Sequence, residues 1–124
     1  DNDTYLMWCW HEWEGYSKFG LYTGNGNVNG TFVYCGFKPR MVWIKGVFGE
    51  HGTMHDTVLN PNNVSKYDLL PGYAGAKESG TSEYIDILSN GFKIRTSDYR
   101  HNKDGGDYIF MAWADEPFKY ATSR

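Results

Sequence analysis

The sequence predicts an all-β protein with the architecture of an antiparallel β-sandwich. The chain contains fifteen glycines, four prolines and many Asn and Asp residues. This composition is typical of many tight turns between short segments. Between the turns lie apolar runs rich in Phe, Tyr, Trp and Val, which are typical of strands. No run shows an apolar helical stripe with caps. At 124 residues the chain is expected to form one domain with a core of its own.

The strands of the first half are predicted in chain order. Residues 5–11 are apolar or aromatic at nearly every position, which predicts a strand buried on both faces. Residues 15–22 form the next predicted strand, and the Gly- and Asn-rich stretch 24–30 forms a turn, because these residues tolerate positive φ. Three more strands are expected, the last of them weakly alternating, at residues 31–37, 41–45 and 51–58.

The second half opens with a loop. Residues 60–82 carry turn signals and little periodicity, and a loop of this length in a compact domain is often functional. Two strands are then predicted at residues 84–88 and 91–96, joined by the hairpin signal Ser89-Asn90-Gly91. A second turn at residues 102–106 leads into the last strand, at residues 108–114.

The first predicted strand echoes the last. Residues 5–12 (YLMWCWHE) and 108–115 (YIFMAWAD) share a tyrosine, an apolar run, a tryptophan and a final acid. Self-similarity at a fixed distance indicates an array of modules. We therefore predict that residues 1–14 are a terminal strand shared with or echoing a preceding tandem module, and that residues 15–124 form the sandwich module. A domain arranged in tandem is more often part of a binding or structural protein than a free enzyme.

Charge and hydrophobicity argue against binding to nucleic acid and against insertion into a membrane, and the cysteines argue against a disulfide. A net charge of −3 without a basic cluster gives no electrostatic reason to bind nucleic acid. No apolar run approaches the roughly 20 residues of a membrane helix, so membrane insertion is not expected. Cys9 and Cys35 each lie in an apolar, strand-like run, which favours two unpaired core thiols over a disulfide.

Residues 36–45 (GFKPRMVWIK) resemble a motif of the repeated domain of phage tail-fibre and other virion proteins, abundant in marine phages. Other motifs of that family are matched at residues 15–26 (GYSKFGLYTGNG), 55–56 (HD), 88–92 (LSNGF) and 106–109 (GDYI). The matches span nearly the whole chain and are specific only as a set. Trp13 and Glu14 stand where the family often has Val-Pro, which puts the connection between modules in doubt.

The resemblance implies a concanavalin-like or jelly-roll-like sandwich in a virion appendage or decoration that meets the host surface. It implies no catalytic residues and no cofactor. Concanavalin-like sandwiches also include glycanases, which carry Glu-x-Asp-x-x-Glu on one strand. Residues 83–89 (EYIDILS) lack this pattern, because Tyr84 and Ser89 stand where the first and last Glu are needed. Glu83 and Asp86 face opposite sides of a strand.

The remaining polar residues give little indication of a catalytic or metal site. Glu12 and Glu14 would lie about 7 Å apart, near the separations that glycosidases use, but at the predicted module junction, which favours solvated acids. His51 and His55 would lie about 13 Å apart on a strand, too far for one metal ion, so no metal site is predicted. Calcium stays open, because the Asp and Asn loops offer oxygens without the spacing of a calcium loop.

Aromatic side chains and loop amides are the remaining candidates for contact. Trp8, Trp10, Trp43 and Trp113 lie in strongly apolar runs and are predicted to be core. The suspected contact loops cover residues 25–29, 55–63 and 99–104, because loops carry binding residues. The ligand-binding candidates are Trp13, Asn25, Asn27, His55, Asp56, Asn60, Asn63 and Tyr99. Rings beside amides fit sugar recognition and equally fit protein–protein contact, and we favour packing for any single aromatic.

Together these observations predict a non-enzymatic module at the surface of an extracellular virion, in a tail fibre or a capsid decoration. Its expected partners are other virion subunits, as a homo-oligomer or as tandem modules, and host-surface glycans. The alternative is a glycan-degrading enzyme on a similar sandwich, which requires a cleft with two close carboxylates. A third interpretation is a purely structural cement module, in which neighbouring copies bury the exposed aromatics.

Overall fold

The computed structural model describes residues 3–49, 51–71, 78–79 and 83–115 of the chain. The elements are the strands β1 (Ser17–Thr23), β2 (Phe32–Tyr34), β3 (Pro39–Gly46), β4 (Thr53–Asp56), β5 (Tyr67–Asp68), β6 (Glu78–Ser79), β7 (Ile85–Leu88), β8 (Gly91–Ile94) and β9 (Asp107–Ala114), and the short helix α1 (Tyr99–Asn102). A four-stranded antiparallel sheet has the order β1-β9-β3-β4, and a three-stranded one the order β2-β8-β7. The predicted all-β antiparallel sandwich is confirmed.

The core lies between the two sheets. Alternate residues of β9 point into it, and Tyr108, Phe110 and Ala112 are all buried. Phe92 of β8 comes from the opposite sheet, and its ring lies 5.5 Å from that of Phe110 and 6.2 Å from that of Tyr22. These edge-to-face ring contacts are the preferred arrangement of aromatic pairs and hold the two sheets together.

Strand β9 occupies the centre of the larger sheet. It pairs with β1 from Ser17–Trp113 to Thr23–Asp107, and on its other side with β3. The register brings Phe19, Met111 and Trp43 into one row, which ends at Met54 of β4. Because residues in one row point to the same side, this row faces away from the core.

The N-terminal segment, residues 3–12, corrects the prediction of a buried strand at residues 5–11. The segment forms no strand, and Tyr5, Leu6 and Met7 are 81–85% exposed. A turn after it, in which Trp13 O accepts the N–H groups of Tyr16 and Ser17, separates it from β1. The assignment of residues 1–14 to a preceding module stays a prediction.

Further differences concern loops and tryptophans. Residues 60–82 were expected to be a loop, and they contain the two-residue strands β5 and β6. The part of this loop at residues 72–77 and 80–82, and residues 116–124 of the predicted module, lie outside the described residues. The four tryptophans predicted as core are not fully buried: Trp8 and Trp10 are exposed, and Trp43 and Trp113 half-buried. The helix α1 was not predicted from the sequence, because four residues are too few for a helical pattern.

The two thiols have different environments. Cys35 is buried, as expected, and burial raises the pKa of its thiol to about 12. Cys9 is exposed on the N-terminal segment, so its assignment to the core was wrong. Both thiols are unpaired, as the sequence predicted.

The two cysteines are expected to differ in reactivity. In dilute native protein, iodoacetamide should modify Cys9 rapidly, whereas Cys35 should react only after denaturation, because it is buried and the thiolate is the nucleophile. Mass spectrometry of tryptic peptides after timed quenching measures both rates. Equal rates for the two thiols would contradict the exposed position of the N-terminal segment, and Cys9→Ser supplies the baseline for Cys35 alone.

Candidate functional site

The side of the four-stranded sheet that points away from the core is apolar. We call it the outer face; its side chains are those of Phe19, Leu21, Met41, Trp43, Met54, Ile109, Met111 and Trp113. These positions alternate along β1, β3 and β9 with residues that point into the core. Charged residues stand at both ends of the face: Lys45 and Asp107 at one end, and Asp56, in an ion pair with Arg40 at 3.7 Å, at the other.

The N-terminal segment lies over the outer face. The ring of Trp10 packs edge-on against Trp113, at 5.7 Å between centroids, and lies 6.4 Å from Phe19. Trp8 and Trp10 border two hollows of about 430 and 540 Å³ whose other walls are mainly outer-face side chains. The covering is incomplete, since Trp8 remains 65% and Trp10 53% exposed. Large exposed apolar patches on a soluble domain mark interaction sites.

A second group of polar side chains is buried in the domain. His55 of β4 and His101 of α1 face each other with 3.1 Å between their Nε2 atoms, so one ring donates and the other accepts. Thr53 Oγ1 lies 3.1 Å from His101 Nε2, and Ser65 Oγ lies 3.0 Å from His55 Nδ1. The carboxylate of Asp98 accepts from His101 Nδ1 at 3.3 Å. We call these five residues the histidine cluster.

The histidine cluster contains the groups of an acid–histidine–hydroxyl relay, but a substrate has no access to it. Thr53, His55 and His101 have no exposed surface. Catalysis by such groups requires the hydroxyl to reach a substrate, so the cluster is a structural network. It ties α1 to β4, and Arg100 of α1 extends it, with its Nη1 atom 3.9 Å from the buried Asp68 of β5.

Burial and hydrogen bonding shift two pKa values in the histidine cluster. Burial, and after it the neighbouring His101 ring, holds the pKa of His55 well below its ordinary value of 6.5. The hydrogen bond from His101, with further help from the N–H of Arg100, lowers the pKa of Asp98 to about 2. The network is therefore built for a neutral His55 and an ionised Asp98.

Two of the predicted ligand residues hold the turn at residues 24–30 together. Asn25 Oδ1 accepts from the backbone N–H of Asn27, and its Nδ2 donates to the carbonyl of Asn29. Asn27 Oδ1 accepts from the N–H of Asn29. Buried Asn102 reaches into this turn, with its Nδ2 atom within 3.0 Å of Asn25 Oδ1 and of the carbonyl oxygens of Asn27 and Thr96. The sequence reasoning missed Asn102, although it stands in a loop that was suspected.

Three further candidates serve the loop after β4. Asp56 Oδ1 accepts from the N–H of Val58 at the start of the turn. Asn60 Oδ1 accepts from the N–H groups of Lys66 and Tyr67, and its Nδ2 donates to the carbonyl of Tyr67. Asn63 makes both hydrogen bonds of its amide with the backbone of Ile87. These side chains shape loops, as Asn and Asp commonly do.

His55, Trp13 and Tyr99 complete the eight candidates. The imidazole of His55 is fully buried in the histidine cluster, so its proposed role in ligand contact needs correction; alternation along β4 points it into the core. Trp13 is 57% exposed at the turn before β1, and Tyr99 is 42% exposed beside Phe48 and Lys103. For these two residues ligand contact stays a prediction. The structure does not bring the eight together.

In the described part of the chain, no three His, Cys, Asp or Glu side chains form a group that could hold a metal ion. Glu12 and Glu14 line one hollow of about 340 Å³ with Lys18, and the hydrogen bond from Lys18 lowers the pKa of Glu12. Within the same residues, no helix has the length and apolarity to cross a bilayer.

The outer face was missed because apolar residues on both sides of a strand were taken to mean burial on both sides. The runs at residues 41–45 and 108–114 do carry the signal. Their inward residues are aliphatic or aromatic, and so are most of their outward ones. Two interpretations fit such a run: a strand between two covering layers, or a strand with one apolar face open for a partner.

Comparison with known proteins identifies the family. Residues 1–117 match a domain of unknown function, DUF7483. The chain belongs to this family. No curated protein and no solved structure matches the chain. The DUF7483 match includes the N-terminal segment and, within the described residues, β1 to β9 and α1.

Acid should destabilise this DUF7483 domain already below neutral pH. The unfolded chain takes up a proton on His55 as the pH falls through 6.5, whereas the folded state keeps its pKa lower, so folding stability is lost below that pH. The loss approaches about 1.4 kcal/mol per pH unit for one proton. Urea titrations between neutral pH and pH about 5 measure it. Asp98 adds a second loss only as the pH falls from 3.8 towards about 2.

The variant His55→Gln removes the group that titrates. It should be less stable than the wild type at neutral pH and should show a shallower fall in stability down to pH about 5. Wild-type stability that stays level across this range would contradict the shifted pKa of His55.

Asn102 is expected to carry much of the stability of the DUF7483 turn region. Asn102→Ala should lower the free energy of unfolding by about 3 kcal/mol, because it leaves buried polar groups without a partner. Urea denaturation measures the change. Asn29→Ala, at an exposed site of the same turn, is the control and should change stability by less than about 0.5 kcal/mol. Equal effects of the two variants would show that Asn102 does not anchor the turn.

Proposed function

We propose that this chain is a non-enzymatic structural module of a phage virion, in a tail fibre or capsid decoration, that packs against other virion subunits. One observation carries the assembly role: the outer face is apolar across four strands, and the segment lying over it is itself apolar and largely exposed. An isolated domain gains nothing from such a surface, whereas a subunit buries it on assembly.

The virion setting is supported by the motifs shared with phage tail-fibre domains, and these motifs occupy defined places in the fold. Residues 15–26 form the turn before β1, β1 itself and the start of the following turn. Residues 36–45 lead into and form β3, and residues 88–92 form the hairpin between β7 and β8. The motifs thus correspond to strands and turns that build the sandwich. Their match supports a shared architecture and, by extension, a shared location.

Glycan adhesion is the second candidate, favoured by the exposed rings of Trp13 and Tyr99. Sugar recognition also requires hydrogen-bonding groups beside the rings. The amides of Asn25, Asn60 and Asn63 are engaged with their own loops. The hollows on the outer face have mainly apolar walls. These features support assembly more strongly than adhesion.

The enzymatic alternative requires a general acid with a raised pKa beside a second carboxylate. Glu12 and Glu14 share a hollow, but Lys18 lowers the pKa of Glu12 and keeps that carboxylate ionised. Asp86 lies 3.4 Å from Arg95 and, by alternation along β7, points to the side opposite its neighbours Ile85 and Ile87. These arrangements favour surface ion pairs over glycan hydrolysis.

Antibodies against the purified chain test the proposed location. Immunogold electron microscopy of phage particles that carry the sequence should label intact virions at the tail or the head. Labelling confined to lysate proteins that do not purify with particles would refute the virion role. In parallel, the purified chain should release no reducing ends from a panel of bacterial polysaccharides, and turnover of any of them would refute the non-enzymatic role.

A further inference from the structure

The N-terminal segment has the composition of an internal strand, but it is not covered on both sides as an internal strand is. Its residues 5–10 repeat the pattern of β9, in which Tyr108, Phe110 and Ala112 face the core while Ile109 and Met111 face outward. Strand β9 is covered by the core on its inner side. Among the described residues, the N-terminal segment is covered by the outer face beneath it, through Trp8 and Trp10.

The exposed apolar area is large enough for a stable interface. Tyr5, Leu6, Met7, Trp8 and Trp10 are 53–85% exposed, and Leu21 and Ile109 of the outer face add to them. Aromatic side chains have about 150–250 Å² each to bury, so this surface amounts to roughly 800 Å². One partner in a standard protein interface buries about that much.

The distribution of charge fits a copy of the same surface. The middle row of the outer face, from Phe19 to Met54, has no charged residue. Lys45 and Asp107 lie at one end of the face, and Arg40 and Asp56, which form an ion pair at 3.7 Å, lie at the other. A two-fold axis along the middle row would reverse the strand direction and place the Lys45 end of one copy over the Asp56 end of the other. Because each end carries one acidic and one basic residue, both rims of the interface would bring acidic and basic side chains together.

We propose that a second copy of this chain covers the outer face, so that the two four-stranded sheets stack with both N-terminal segments packed between them. This inference rests on the proposed structural role and names its partner. Each segment would then be covered on one side by its own outer face and on the other by the second copy. Trp, Met and Phe, which dominate this surface, are residues enriched at protein interfaces.

The mass of the purified chain in solution tests the proposal. Sedimentation equilibrium over the micromolar range should show a concentration-dependent rise that levels off at twice the mass of one chain. Trp8→Ser with Trp10→Ser should weaken association by roughly thirtyfold or more, as for truncation of interface tryptophans. Leu21→Lys, at a solvent-facing position of β1, should also weaken it, because it places a charge in the apolar contact.

The other sheet supplies a matched control. Phe32 and Tyr34 are also aromatic residues two positions apart, 43% and 63% exposed, on β2. Phe32→Ser with Tyr34→Ser should leave association as in the wild type. Circular dichroism of all variants checks the fold. The tryptophan changes lie outside the core, so they leave the folded domain intact.

Alkylation of Cys9 gives a second, local measurement. In the wild type its rate should fall as the protein concentration rises, because association covers the N-terminal segment. In Trp8→Ser with Trp10→Ser the rate should stay high at every concentration.

Several results would overturn the proposal. They are a single-chain mass at all concentrations, a mass that rises without levelling off, or an equal loss in the β2 control. A single-chain mass would leave another subunit or a tandem module as the cover of the outer face. The immunogold result is independent of this experiment: labelled virions with a monomeric chain would reject the self-association alone, and unlabelled virions with a dimeric chain would reject the virion role alone.

Discussion

The central position of β9 is the constraint on which the rest of this structure depends. The strand pairs with β1 on one side and β3 on the other, and its residues alternate between the core and the outer face. Its buried Tyr108 also organises the loop before it, because the phenol donates to the carbonyl of Tyr99 and accepts from the N–H of Lys103. One strand therefore sets the sheet, the core and the position of α1.

Buried polar groups join elements of the fold that the aromatic core does not hold together. The histidine cluster joins β4 to α1, and Asn102 joins α1 to the turn at residues 24–30. Buried polar groups are tolerated only when they are hydrogen-bonded, and a satisfied network favours one arrangement of the loops. Asn25, Asn60 and His55, which the sequence predicted as ligand contacts, thus maintain the shape of the domain.

The outer face is the strongest candidate for function, because the sandwich leaves this apolar surface uncovered. A two-sheet sandwich covers one face of each sheet, so an apolar second face needs an additional layer. The N-terminal segment provides part of that layer through Trp8 and Trp10, and leaves its own apolar side chains exposed. A surface of this kind is suited to permanent contact between subunits, whereas reversible sugar binding depends on free hydrogen-bonding groups that the described loops use internally.

The sequence by itself determined the fold class and the strands β1 to β4 and β7 to β9, since alternation and Gly- or Asn-rich turns are local properties of the chain. It did not determine which strand faces meet. Trp8, Trp10, Trp43 and Trp113 look like core residues in any local window, and only the stacking of the two sheets placed Trp43 and Trp113 outside and directed the N-terminal segment over them. The physical reason is that a hydrophobic side chain is stabilised by burial against any apolar surface, and only the tertiary structure decides which surface that is.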